Sequence, residues 1–184
     1  FVFLVEMGFH RIDLAGLELL DFCFHTHTQR CGHGAKDTGD EEWVEHAIKG
    51  GIKKLAFTDH IPLPDGMNHI ANSRMDIAEV DSYLASIHYL QEKYKGQIEI
   101  ESGFEFEYSK RDEDHLKELK SETDKMVLGQ HFVIDDSGKE YEITRGKGGK
   151  QISDEVLDLY AESIISAMDK DLPDVIAHPD LFMQ

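Results

Sequence analysis

The chain reads as an α/β fold built on parallel strands. Three observations point there. Short apolar runs of strand length alternate with longer amphipathic segments, the links between them are mostly short, and histidines and carboxylates recur just past the apolar runs. In parallel β/α architectures the carboxyl ends of the strands gather on one face, where the following loops build active sites.

Residues 21–24 form the first expected strand. A helix is predicted over 40–49, with Trp43, Val44, Ala47 and Ile48 on one face and Gly50-Gly51 to end it. The second strand, 52–58, runs straight into Asp59-His60. Residues 61–74 contain Pro and Gly and are too long for a mere connector, so they read as an active-site loop. Helix 76–94 carries Ile77, Val80, Leu84, Ile87, Leu90 and Tyr94 at helical spacing. A third strand at 97–107, a charged helix at 112–123 and a strand at 126–132 follow. The polar, glycine-rich stretch 135–150 reads as a mobile loop or small hairpin, and helix 153–168 leads through strand 174–177 to His178-Pro179-Asp180.

Composition narrows the function. The 184 residues hold 19 basic against 37 acidic side chains, a formal net charge of -18. That disfavours nucleic acid as a partner and suits a collector of divalent cations. An anionic substrate then needs local relief from bound metal and a few Arg or Lys. Two cysteines, Cys23 and Cys31, make no disulfide framework and suggest a reducing cytoplasm. No apolar run approaches the ~20 residues that span a bilayer, so no membrane partner is expected. The apolar start, Phe1 to Val5, is short, is followed by Glu6 and lacks a basic flank, unlike a signal peptide; a first residue of Phe suggests a fragment.

His25-Thr26-His27 carries the strongest chemical signal. Residues i and i+2 of a strand project from one face, so both imidazoles point to one spot and form a ready metal-ligand pair. His33 follows six positions later. His25, His27, Asp59, His60, Glu105, His131 and His178 all fall at or just beyond strand carboxyl ends, so five strands are expected to deliver ligands to one basin. His46, His88 and His115 fall on helices and read as solvated or packing residues. Glu105 and Glu107 share a strand face; Glu105 is the better ligand candidate because Gly103 allows close backbone approach. Asp59 reads better as an orienter of a neighbouring ligand than as a ligand itself. Cys31 is a weaker ligand candidate. Such mixed sets suit zinc, iron or manganese without choosing among them.

His25-Thr26-His27 with His33, Thr58-Asp59-His60, Gly103-Phe104-Glu105, Gly129-Gln130-His131 and Ala177-His178-Pro179 together resemble the PHP family of metal-dependent phosphoesterases. The phrase from Phe24 to His33, the loop from Thr58 to Asp65 and Arg74-Met75 look most like its histidinol-phosphatase branch. The resemblance implies a distorted (β/α)7 barrel around up to three divalent metals. His25, His27 and Glu105 would hold the first; Glu105 would bridge to a second on His131 and His178; His33 and His60 would hold the third. It also implies hydrolysis of L-histidinol phosphate to L-histidinol and phosphate, a step of histidine biosynthesis, with Glu105 and Asp59 in the catalytic machinery. Arg74 and Arg145, with His69 nearby, are candidates for gripping the phosphate, because guanidinium offers two parallel donors.

The resemblance covers residues 21–184 and lacks the family's closing Asp-x-His motif, so a barrel incomplete at its carboxyl end is expected. Residues 1–20 instead resemble the peptide read from primate Alu repeats. They are expected to be a spurious leader, joined to a phosphatase fragment of microbial type and contributing nothing to catalysis. Two rival functions remain open at this point: a nuclease or other phosphoesterase on the same scaffold, and a metal-binding remnant made inactive by the missing motif.

Overall fold

The computed structural model describes residues 21–32, 34, 37–63, 74–143 and 152–183. They fall into two compact units, one within residues 4–104 and the other within 105–184. The leader 1–20, His33, His69, Arg145 and most of the 61–74 loop lie outside the described residues.

In the first unit β1 (Phe22–Cys23) pairs in parallel with β2 (Lys54–His60), in the register Phe22 to Lys54 and Cys23 to Leu55. Helix α1 (Asp40–Lys49) makes the crossover. Its first turn is acidic, as the positive end of a helix favours, and the Gly39 N–H donates to Glu42 Oε2 at 2.9 Å. Gly50 and Gly51 end it, Gly51 at a φ of 83° that a side chain would resist. Asp76 caps a short 3-10 turn, Ile77–Glu79, that opens α2 (Val80–Lys93). Because that turn winds more tightly, Ile77 leaves the apolar stripe and is exposed, contrary to the helical spacing. Val44, Ala47, Tyr83, Leu84, Ile87 and Leu90 are buried, as are Leu55 and Phe57 of β2. Next to β2 lies β3 (Glu99–Phe106), here through Phe104. Lys54 joins these two strands, its Nζ 2.8 Å from both Glu99 Oε1 and Glu101 Oε1.

The second unit begins with Glu105 and Phe106, the last residues of β3. Helix α3 (Glu113–Glu122) buries Leu116 and Leu119 and leads to β4 (Lys125–Leu128), which pairs in parallel with β7 (Val175–Ile176). The run expected as one strand, 126–132, is broken: β4 stops at Leu128, and β5 (Phe132–Ile134) turns back in an antiparallel hairpin with β6 (Glu140–Glu142). The break has a cause in hydrogen bonding. Gly129 N–H donates to the Phe106 carbonyl at 3.0 Å, and the buried Gln130 amide is committed to other backbone groups. Helix α4 (Asp154–Asp169) covers the hairpin, with Val133, Ile143, Val156, Tyr160 and Leu181 as a small core. The α/β fold with parallel strands is therefore observed in both units.

The hairpin turn has a measurable acid sensitivity. Asp135 accepts from Ser137 Oγ at 2.6 Å, from Lys139 N at 3.0 Å and from Tyr141 Oη at 2.9 Å, and these donors hold its carboxyl down at about 2. The folded value lies below that of the unfolded chain, so this stabilisation is complete above the unfolded value near ~3.9 and is lost as pH falls through the folded one. Between pH 5 and pH 2.5 the melting temperature of the natural chain is expected to fall more steeply than that of Asp135→Asn. Parallel profiles would refute this.

Candidate metal-binding clusters

The first unit gathers its histidines where β1 and β2 end. His25 and His27 follow β1, while Asp59 and His60 close β2 rather than follow it, because β2 runs two residues beyond the end that the apolar pattern predicts. Thr58 Oγ1 lies 3.0 Å from His25 Nδ1, and Cys31 Sγ lies 3.4 Å from His27 Nδ1. With those ring edges engaged, the two Nε2 atoms face each other at 3.3 Å, the rings nearly perpendicular at 78°. Ligands of a tetrahedral cation at about 2.0–2.1 Å stand roughly 3.3–3.4 Å from one another. The separation of these two nitrogens therefore fits a shared cation, and so does their chemistry. The His27 and His60 rings are also close, with centroids 4.7 Å apart.

Asp59 is fully buried and bonds to Thr28 and Cys31. Its Oδ1 accepts from Thr28 N at 2.6 Å and Cys31 Sγ at 3.0 Å, and its Oδ2 accepts from Thr28 Oγ1 at 2.6 Å. Burial pushes its carboxyl above the ordinary value, while donation from Cys31 and Thr28 pulls the other way. Cys31 also receives the His60 N–H at 3.0 Å, so one buried thiol joins Asp59, His60 and His27. Ligand atoms of His27, Cys31 and Asp59 all lie within 4.8 Å of one another. Arg74 is half-buried, and its Nη1 donates to the Ile61 carbonyl at 3.0 Å, fastening the end of the 61–74 loop to its beginning. Tyr83 Oη donates to the Gly103 carbonyl at 2.9 Å, tying α2 to the strand glycine beside Glu105.

The second unit centres on Glu105, 1% exposed. Its Oε1 is 3.0 Å from His178 Nε2 and 3.6 Å from His131 Nε2, and the two imidazole centroids are 4.8 Å apart. One carboxylate oxygen facing two imidazole nitrogens at these distances again fits a shared cation. Glu107, one residue past the end of β3, meets His131 from its other edge, Oε1 to Nδ1 at 2.9 Å. Gly129 leaves the space that Glu105 fills, for a Cβ there would stand 1.8 Å from Glu105 Oε1. His178 takes a φ of 30°, an uncommon backbone for a side-chain-bearing residue. Of the helical histidines, His46 and His88 are exposed and His115 is half-buried.

Several of these partners were hidden in the sequence. Thr28 and Gln130 act through contacts with residues far along the chain, and no spacing rule marks them; Cys31 was visible as a weaker ligand candidate but not as the partner of Asp59. Glu107 was visible as a neighbour of Glu105 but not as the partner of His131.

The PHP domain model matches residues 24–184. The chain belongs to the PHP family. Histidinol-phosphatase of Bacillus subtilis is 34% identical to this PHP chain over 121 residues, 61% of the chain and 44% of that protein. The chain thus spans less than half the length of that curated relative. Among solved structures, the hisK protein of Listeria monocytogenes is similar with a TM-score of 0.72 at 23% identity, covering 88% of this chain and 67% of its own. Histidinol phosphate phosphatase of Lactococcus lactis, solved with zinc, L-histidinol and phosphate, gives a TM-score of 0.65 at 19% identity, covering 90% and 60%. These likenesses agree with the α/β fold described above. Among the described residues no helix is long and apolar enough to cross a membrane.

Proposed function

We propose that this PHP chain belongs to a metal-dependent phosphate monoester hydrolase acting on L-histidinol phosphate. The observation that carries the reading is the facing of two imidazole nitrogens at 3.3 Å in the first unit and of imidazoles and a carboxylate oxygen at 3.0–3.6 Å in the second. Support for the substrate comes from the name of the Bacillus subtilis relative and from the histidinol and phosphate held by the Lactococcus lactis protein. His25, His27, His33, His60, Glu105, His131 and His178 are the proposed ligands of up to three zinc, iron or manganese ions, with Glu105 shared between two. The family-model match from residue 24 supports residues 21–184 as the phosphoesterase part, apart from the leader.

When bound, such cations acidify water and neutralise phosphoryl oxygens. The chain's own residues do the rest. Asp59 and Cys31 hold the turn that carries His27, and Glu105 presents a buried carboxylate oxygen towards His131 and His178. Arg74, Arg145 and His69 are proposed to meet the phosphate, and together with bound metal they offset the chain's -18 charge for an anionic substrate. The same charge opposes a single-stranded DNA substrate. A cytoplasmic setting suits a chain whose two cysteines form no disulfide.

The test loads the purified chain with manganese or zinc and offers L-histidinol phosphate and single-stranded DNA in parallel. Phosphate release from the first, abolished by chelation, is expected. DNA breakdown instead would favour the nuclease reading. Tight metal binding without release from either would mark a metal-binding remnant.

A further inference from the structure

We propose that Glu107 is a positioning residue that fixes the tautomer and orientation of His131; the inference deepens the phosphoesterase reading and rests on it. Glu107 is 2% exposed, and a buried carboxylate requires donors. His131 Nδ1 supplies one at 2.9 Å. A carboxylate accepts, so Nδ1 is the ring's donor to Glu107, and a neutral imidazole then turns a lone pair on Nε2 towards Glu105 Oε1, 3.6 Å away. Had the proton been on Nε2, two acceptors would face each other at Glu107 and the ring would present no lone pair to a cation beside Glu105.

The pairing is built into the backbone as well. Gln130, next to His131, grips Tyr108, next to Glu107, from both sides. Its Oε1 accepts from Tyr108 N–H at 2.9 Å, and its Nε2 donates to the Tyr108 carbonyl at 3.1 Å and to the Phe132 carbonyl at 2.7 Å. This buried amide clamp sets the segment bearing His131 against the strand end bearing Glu107. Partners of a ligand's far ring nitrogen typically tune metal affinity by 10–100-fold. Glu107 thereby acts on cation retention through His131.

The experiment compares the full chain with Glu107→Gln, which keeps shape and removes charge. Zinc affinity is measured by competition with a chelating dye. The His131 tautomer is read in the metal-free protein at pH 8 from long-range proton–nitrogen correlations of the ring. The natural chain is expected to show the Nδ1–H form, and Glu107→Gln a mixture of tautomers with zinc bound roughly 10–100-fold more weakly. An Nε2–H form in the natural chain, or zinc affinity in the variant within twofold of the natural value, would overturn the inference. The tautomer is read without metal and in the unsubstituted protein, so misfolding of the variant does not remove the test. If the natural chain bound no zinc at all, the phosphoesterase reading would fail, and the tautomer alone would decide the pairing.

Discussion

Under the proposed phosphatase reading, Gly129→Ala is expected to weaken cation binding severely and to lower the hydrolytic rate about 100-fold, a loss typical of ligands misplaced by an ångström. The added Cβ would stand 1.8 Å from Glu105 Oε1 and 2.7 Å from its Cδ, far inside any tolerated contact. One side must retreat. The backbone is tied through Gly129 N–H to the Phe106 carbonyl at 3.0 Å, so the carboxylate is the more easily displaced. Its Oε1 then leaves His178 Nε2 and His131 Nε2 together. Overpacking of this kind costs about 1–3 kcal/mol, leaving most chains folded. Elemental analysis after dialysis, initial rates and a melting curve separate the two effects. A variant with natural metal content and rate would show that Glu105 does not need this space.

Asp59→Ala is expected to act chiefly on stability. The change removes the acceptor of two Thr28 donors and of the Cys31 thiol, all at 2.6–3.0 Å and buried. Each buried donor deprived of its acceptor costs about 1–3 kcal/mol. Relief from burying a carboxylate, the same effect that pushes its pKa up, offsets part of this, so a net loss of about 2–4 kcal/mol is expected. Against a total of about 5–15 kcal/mol, that moves a urea midpoint strongly with little change in slope. Asp59→Asn, which keeps one acceptor, should fall between. A midpoint shift worth under about 1 kcal/mol would mean that Thr28 finds water at no cost.

Helix boundaries were the most legible part of the sequence. Helix α1 runs over the residues its acidic start and paired glycines mark. The strand ends were less so, because Asp59 and His60 are polar and break the apolar run, although β2 continues through both. Apolar residues after Gly129 hid the opposite error, since backbone hydrogen bonding ends β4 there whatever the hydropathy. Ligand candidates were legible because imidazoles and carboxylates at strand ends are rare without purpose. Their supporting partners were not: Thr28 lies 31 residues from Asp59, Cys31 28 from the same carboxylate, and Glu107 24 from His131. Local pattern carries no information about pairs at that separation.

The wholly buried thiol of Cys31 turns the first cluster into its own reporter. A reagent such as a disulfide dye reaches that sulfur only when the turn between Thr28 and Gly32 comes apart. Labelling speed then follows the frequency of that excursion, much as amide exchange follows local unfolding. Half-buried Cys23, on the adjoining strand, serves as the internal clock for the same measurement. Any cation gripping His27 should slow the first reaction and spare the second.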